Sequence, residues 1–534
     1  MPAARSQSVH RHIAAATGIV MASIFLSRIL GFARDWAVAH LAGANGITDS
    51  FNTAFTLPDI LNYLIAGGSL SITFIPVFAK YVAEGQEEEG WRVFSTVVTV
   101  MGFALVALVA LGEILADPIV SHWIAPGYNG DPLEHARTVF LTRLMLPAQI
   151  FFYEGSILSA VQYAKGQFII PSLAPLIYNS SVILGGILLF SKVGITGFSI
   201  GVVVGAVLGN FLLQVYGAKR AGAIFRPNLR VKHPGFILFL RMSVPIMLAL
   251  GLAQADDWII RHYASYMQHG ATTWLAYGKK LMQVPLGFVG QAIGVASFPT
   301  LAQLYSEKKY DDLNRILNTT IKALIVLLVP ISALMIAESR PIVHVLFMRT
   351  RLHSTDFDAT AAALVFFSLG LFAWGAQNIL ARGFYATRNT LIPAIVGTLT
   401  TFSSLPLYMW LMHALDFRGL ALASTCGISA YMLVLFALLA RRTQNHDAAG
   451  LIGFFLKVVA ASALVGYACW KLALWLETVL TLRTAIDSLA VLVMDTVVGA
   501  FLLFVLFKLL RVRELDAYVR RGFAMLSRNA ASRA

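Results

Sequence analysis

Charge is what this 534-residue chain has least of, at 13% Asp, Glu, Lys and Arg, roughly half of what soluble domains carry. Cysteine is almost absent. Cys426 and Cys469 are its two copies and both lie in apolar segments, which excludes a disulfide framework and any cysteine-based metal-ligand spacing. The histidines show no zinc-ligand spacing either. No G-x-x-x-x-G-K-[ST] loop is present, so direct ATP hydrolysis is not expected. A D-D-x-x-D-like carboxylate array is also missing, which argues against a metal-dependent polyprenyl-phosphate glycosyltransferase; Asp256-Asp257 is an isolated pair.

What is present is apolar. Hydrophobic residues make up 58% of the chain and mean hydropathy is +0.72. The chain therefore reads as an all-α integral membrane protein. The polar, basic start Met1 to Arg11 is followed by no cleavage site, so the first apolar segment is expected to be a retained helix and not a signal peptide. The net charge of +14 does not mark a nucleic-acid partner, because the basic residues gather in particular loops between apolar runs, as the positive-inside rule describes.

Spans need about 20 apolar residues, and breaks at Gly, Pro and charge clusters give about fourteen. They fall near 13–41, 48–80, 92–122, 134–162, 169–192, 196–218, 236–264, 271–304, 312–338, 357–386, 390–415, 418–440, 450–476 and 485–510. Pro58, Gly67-Gly68, Pro147, Pro285 and Pro393 interrupt several of them. Lys219, Arg220, Arg226, Arg230 and Lys232, then Arg441 and Arg442, then the tail from Lys508 through Arg511, Arg513, Arg520, Arg521, Arg528 and Arg533 all fall on the side of the N-terminus. The opposite side has sparse links such as Ala42 to Ile47, with the Arg349/Arg351 loop as the exception. Both termini are thus expected in the cytoplasm.

The chain also repeats itself. Asp35-Trp36-x-x-x-His40 returns 222 residues later as Asp257-Trp258-x-x-x-His262. At an offset of 222 or 223, Pro76 matches Pro299, Arg92 matches Arg315, Tyr163-Ala164 matches Tyr385-Ala386, Pro171 matches Pro393 and Gly197 matches Gly419. Six spans per repeat is an even number, so both repeats take the same orientation, related by an axis along the membrane normal. The expected domains are 1–222, a six-helix bundle; 223–445, its repeat; and 446–534, two additional helices with a basic cytoplasmic tail. Two like-oriented bundles facing a central cavity is a transporter arrangement.

Ser27-Arg28-x-Leu30-Gly31-Phe32-x-Arg34-Asp35, then Thr48-Asp49-x-Phe51 and Phe55-x-Leu57-Pro58, resemble the opening of the MurJ (MviN) family. Phe74-Ile75-Pro76, the Pro285 region and Gly383-Phe384-Tyr385 extend the resemblance over essentially the whole chain. It implies a lipid II flippase of the MOP exporter superfamily, working by alternating access for peptidoglycan synthesis. Its partner would be a lipid-linked oligosaccharide in a bed of membrane lipids. The resemblance also implies that the two extra C-terminal helices form a groove for the lipid tail. No cofactor is expected, energy would come from the membrane potential or a sodium or proton gradient, and a monomer is expected. The chain departs from the family pattern at Asn62 and Lys280, where arginines are usual, and at Gly67 and Gln283, where acidic residues are usual. Flipping of another polyprenyl-pyrophosphate-linked glycan, or a MATE-like drug or cation antiport, are the alternatives.

Charges inside apolar helices cost roughly 2.5–3.5 kcal/mol at the bilayer centre and usually face a partner or a wet cavity. Arg28 and Asp35 share a helical face two turns apart, with Arg34 on another side. Arg28 is expected to bind a pyrophosphate bidentately, its alternative being a neighbouring carboxylate. Arg34 and Asp35 either share that role or neutralise each other. Asn62, Lys279 and Lys280 complete the expected substrate-binding set. Asp49 is either a helix cap or half of a gate ion pair, and Asp59 follows the Pro58 kink. Asp257 and Arg261 are spaced for an i,i+4 pair, while Asp256 is open to a cation or proton. Glu154 is either a coupling carboxylate or an interhelical hydrogen-bond partner. Glu87-Glu88-Glu89 reads as a solvated loop face.

Overall fold

The computed structural model describes residues 2–63, 69–387, 389–445, 447–480 and 484–512, and among these every regular element is a helix. Gly67 and the basic tail beyond residue 512 lie outside the described residues. Nine of the described helices are long and apolar enough to cross a membrane, and a tenth span results if a pair bent by 42° is counted as one.

The helices fall into two compact units. The first comprises residues 1–273 with the short segment 349–352. It contains α1 (Pro2–Ala42), α2 (Gly46–Ala54), α3 (Thr56–Leu61), α4 (Ser69–Ala83), α5 (Glu87–Ile119), α6 (Pro132–Met145), α7 (Ala148–Ala164), α8 (Ile169–Val193), α9 (Thr196–Gly205), α10 (Leu213–Arg220) and α11 (Pro234–Ala264). Wide π turns at Val120–Ile124 and Ala206–Leu212 extend α5 and α9. Aromatic packing joins three of these helices: Phe74 and Phe78 of α4, Trp91 and Phe94 of α5, and Phe239 of α11 interlock edge-on and stacked.

Proline and glycine shape the first unit as expected, with one shift. The segment predicted as span two is divided into α2, α3 and α4, and its first break falls at Phe55, three residues ahead of Pro58. A proline cannot donate an N–H and crowds the preceding turn, so the disruption lands upstream of the ring. Pro147 likewise separates α6 from α7. The acidic run proves to be partnered instead of merely solvated. Lys165 donates to Glu87, Arg92 to Glu88 and Glu89, and His233 pairs with Glu89 at 3.2 Å. All three acids sit in the first turn of α5, where the helix dipole favours them.

The second unit comprises residues 274–348 and 353–534. Its helices are α12 (Ala271–Ser306, beyond its first turn), α13 (Tyr310–Ala337), α14 (Ser339–Phe347), α15 (Ser354–Ser368), α16 (Leu371–Ala386), α17 (Leu391–Leu415), α18 (Phe417–Thr443), α19 (Ala448–Leu480) and α20 (Ala485–Leu509). The bent pair is α15 with α16.

The internal repeat is written into backbone geometry. Helix α8 ends on Gly194 with φ 60° and ψ −140°, and α17 ends on Asp416 with φ 57° and ψ −146°. These positions stand 222 residues apart. The hairpin that follows Gly194 is packed through a stripe of glycines. Cβ atoms added to Gly197, Gly201, Gly205 and Gly209 would lie 2.6–3.0 Å from backbone atoms of α8. Small residues every fourth position let two membrane helices approach this closely.

Candidate functional site

The repeated Asp-Trp-x-x-x-His motif explains itself first. His40, near the end of α1, donates from Nδ1 to the carbonyl of Arg349 at 2.7 Å. His262, near the end of α11, donates from Nδ1 to the carbonyl of Trp123 at 2.7 Å. A carbonyl only accepts, so both imidazoles carry their proton on Nδ1. Arg351 N–H also donates to the carbonyl of Ala39. Each matched histidine thus pins a link from the other sequence repeat, and this fastens the 349–352 segment into the first unit.

Further along the same helices lies a cluster of ionised groups. Arg34 donates to Asp35 at 3.2 Å and to Asn179 of α8 at 3.4 Å. Asn179 in turn donates to Ser27, the residue that precedes Arg28. Arg261 of α11 donates to Asp59 of α3 at 3.0 Å and to Thr56 at 3.2 Å. Arg34 and Asp257 both lie within electrostatic reach of Asp59, as does Tyr178 of Arg34. Two guanidinium groups therefore face three carboxylates, Asp35, Asp59 and Asp257, in one half-buried patch built from α1, α3, α8 and α11.

The cluster refines several expectations. Arg34 and Asp35 pair with each other, the contact that the reading of local neutralisation expects. Arg261 takes Asp59 from another helix, a partner that the i,i+4 spacing to Asp257 did not contain. Asp59 follows a broken helix at Phe55, and that break turns its carboxylate toward α11. Asp256 and Asp257 are half-buried on α11.

Arg28 stands apart. Its side chain is exposed and has no hydrogen bond or ion pair among the described residues. The face it shares in sequence with Asp35 does not produce a contact, because Asp35 is taken by its neighbour. Asn62 is half-buried at the end of α3. In the second unit Lys279 is 6% exposed, its ammonium 5.2 Å from the Trp374 ring centre and 5.9 Å from that of Phe367, a cation–π seat. Lys280, next to it, is half-buried. Glu154 is half-buried and its Oε1 fills the space beside Gly102 of α5, where an added Cβ would sit 2.8 Å away.

Asp49 is a cap, though not of its own helix. Asn45 caps α2 through the N–H groups of Ile47 and Thr48. Asp49 is 2% exposed and accepts from the N–H of Gly270 at 2.5 Å, the N–H of Thr273 at 2.8 Å and the Thr273 hydroxyl at 2.6 Å. Those donors are the first turn of α12, whose N–H groups lack intrahelical partners. The expected gate ion pair at this position is replaced by a helix-end clamp.

Two acidic groupings escaped the sequence reading. In the second unit, Glu338 accepts from Thr496 at 3.1 Å and lies beside Asp495 of α20, whose two carboxylate oxygens are buried with no donor among the described residues. In the first unit, Asp131, Glu134 and His269 converge. Neither has a spacing motif, since each joins residues more than 130 positions apart. An isolated acid inside an apolar run, such as Asp495, was the only available signal.

The repeated helical bundles and the many long apolar helices define a multi-pass membrane protein. Residues 38–489 match the lipid II flippase MurJ family, and the chain belongs to it. It is 28% identical over 459 residues to the lipid II flippase MurJ of Burkholderia cenocepacia, covering 83% of this chain and 87% of that one. It is 27% identical over 460 residues to the probable lipid II flippase MurJ of Haemophilus influenzae, covering 83% and 90%. Its fold is that of a solved MurJ structure in an inward closed conformation, with TM-score 0.75, 22% identity, and coverage of 92% of this chain and 99% of that one. An inward-facing MATE multidrug transporter of the MOP superfamily shares the fold more distantly, at TM-score 0.62 and 12% identity over 78% of this chain and 94% of that one.

Proposed function

We propose that this chain flips lipid II from the inner to the outer leaflet of the cytoplasmic membrane by alternating access, with both termini in the cytoplasm. The observation that carries the reading is membership of the MurJ family across residues 38–489. Arg28 binds the pyrophosphate. Its guanidinium is exposed on α1, while Arg34 and Arg261 are already committed to carboxylates. Lys279 and Lys280 supply further positive charge, and Asn62 a neutral hydrogen-bonding group.

An apolar cavity of about 1160 Å³ in the second unit suits the polyprenyl tail. Helices α13, α14, α15, α16, α18 and α19 line it, and Arg340, Asp358, Arg418 and Glu477 provide its charged residues. No cofactor takes part, and the transporter works as a monomer. The membrane potential or a sodium or proton gradient drives it, with Asp59, Asp256, Asp257 and Glu154 as the coupling carboxylates. The excess of carboxylates over guanidiniums around Asp59 is what favours cation coupling there, a feature an antiporter reading would also use.

Expression of the chain in cells depleted of their own lipid II flippase tests this. Growth should return with the wild-type chain and fail with Arg28→Ala at equal expression. Full rescue by Arg28→Ala would remove Arg28 from headgroup binding.

A further inference from the structure

The start of α6 and the link between α11 and α12 meet over the first turn of α2. Asp131 is the N-cap of α6, and its Oδ1 accepts from the N–H groups of Leu133 at 3.0 Å and Glu134 at 3.1 Å. Its second oxygen, Oδ2, lies 3.8 Å from His269 Nε2. Glu134 is 3% exposed, with Oε2 at 2.9 Å from His269 Nδ1. One ligand atom from each of the three residues falls within 4.8 Å of the others.

Glu134 Oε1 is buried and has no hydrogen-bond partner among the described residues. A buried carboxylate oxygen left without a donor is costly, and a cation is what would satisfy it. The surroundings add negative charge. Asp49 stands within electrostatic reach of Glu134, and Arg137 is the neighbouring positive group. The third wall is bare backbone: a Cβ on Gly46 would sit 2.8 Å from His269 Nδ1 and 3.3 Å from Glu134 Oε2. Asp131 is the N-cap of α6 and Glu134 lies in its first turn, so both carboxylates belong to the same helix end.

We propose that Asp131, Glu134 and His269 form a binding site for a divalent first-row transition ion, best probed with Zn²⁺. Two carboxylate oxygens and one imidazole nitrogen suit such an ion and leave a coordination position for water. The ion joins α6 to the link that leads into α12. Asp49 already holds the first turn of α12 in the same neighbourhood, so metal binding stiffens the entry to that helix. The three segments follow an odd number of spans, which puts the site at the outer face in the orientation proposed above.

The test uses the full chain in detergent, stripped with EDTA and titrated with Zn²⁺ by calorimetry and by thermal melting. Wild type should bind one ion of this class at the site and melt several degrees higher with it. Glu134→Gln, His269→Gln and Asp131→Asn should each weaken binding by more than the roughly 10–100-fold that loss of an outer-shell partner costs. Asp131→Asn keeps an N-cap oxygen, and every variant is compared with its own EDTA melt, so a change in folding is separated from a change in binding. Zinc binding that survives all three substitutions would overturn the proposal. So would a wild-type melt unaffected by zinc alongside a lower Glu134→Gln melt, which is the signature of a simple Glu134–His269 ion pair. Equal stabilisation by Ca²⁺ that persists in His269→Gln would overturn the assignment to a transition ion.

Discussion

Asp49 shows what one carboxylate does when it has no counter-ion among the described residues. Three donors from the start of α12 converge on it, and all become orphans if it is removed. Buried orphaned donors cost about 1–3 kcal/mol. Asp49→Ala should therefore lower the melting temperature of the purified chain clearly, whereas Asp49→Asn, which keeps one acceptor oxygen, should lower it less. Equal losses would mean that the charge and not the hydrogen bonding matters. The sequence marked Asp49 as a cap or a gate, but nothing local says whose helix it caps. Its donors lie more than 220 positions away. Arg261 teaches the same lesson, for the i,i+4 rule ranks Asp257 first and the folded chain offers it Asp59.

Helices were the most legible level. Apolar run length and the positions of prolines located them, and the 222-residue offset foretold that two hairpins would be alike. The ends of α8 and α17 make the likeness concrete, with one difference of side chain. Backbone near φ 57° and ψ −146° is a region that essentially only glycine occupies without strain of order 1–3 kcal/mol. The first hairpin has Gly194 there; the second has Asp416. Asp416→Gly should stabilise the protein by about 1 kcal/mol, read as a higher melting temperature, and an unchanged or lower value would show a compensating contact of the aspartate.

The glycine stripe of α9 makes the opposite prediction. A Cβ on Gly201 would stand 2.6 Å from the Ser181 carbonyl and 2.7 Å from Val182 Cα, both backbone atoms that cannot swing away. Gly201→Val should cost at least the about 1–3 kcal/mol of ordinary overpacking, seen as loss of monodisperse protein on extraction. Normal yield and melting would refute the close α8–α9 approach.

For the whole molecule, composition alone was enough to place it in a membrane, and the motifs at Arg28–Asp35 and Thr48–Phe51 identified its family. The division of labour among its charges was not legible, because a basic residue in an apolar helix looks the same whether it meets a carboxylate of its own chain or a phosphate. Folding sorts them: Arg34 and Arg261 turn to carboxylates, Lys279 to aromatic rings, and Arg28 outward. The central claim is that the chain moves lipid II between leaflets. It is tested most directly by measuring which leaflet holds lipid II in cells depleted of their own flippase and expressing this chain. The account predicts that lipid II becomes accessible from outside. Lipid II that stays inaccessible, despite full-length chain inserted in the membrane, would contradict it.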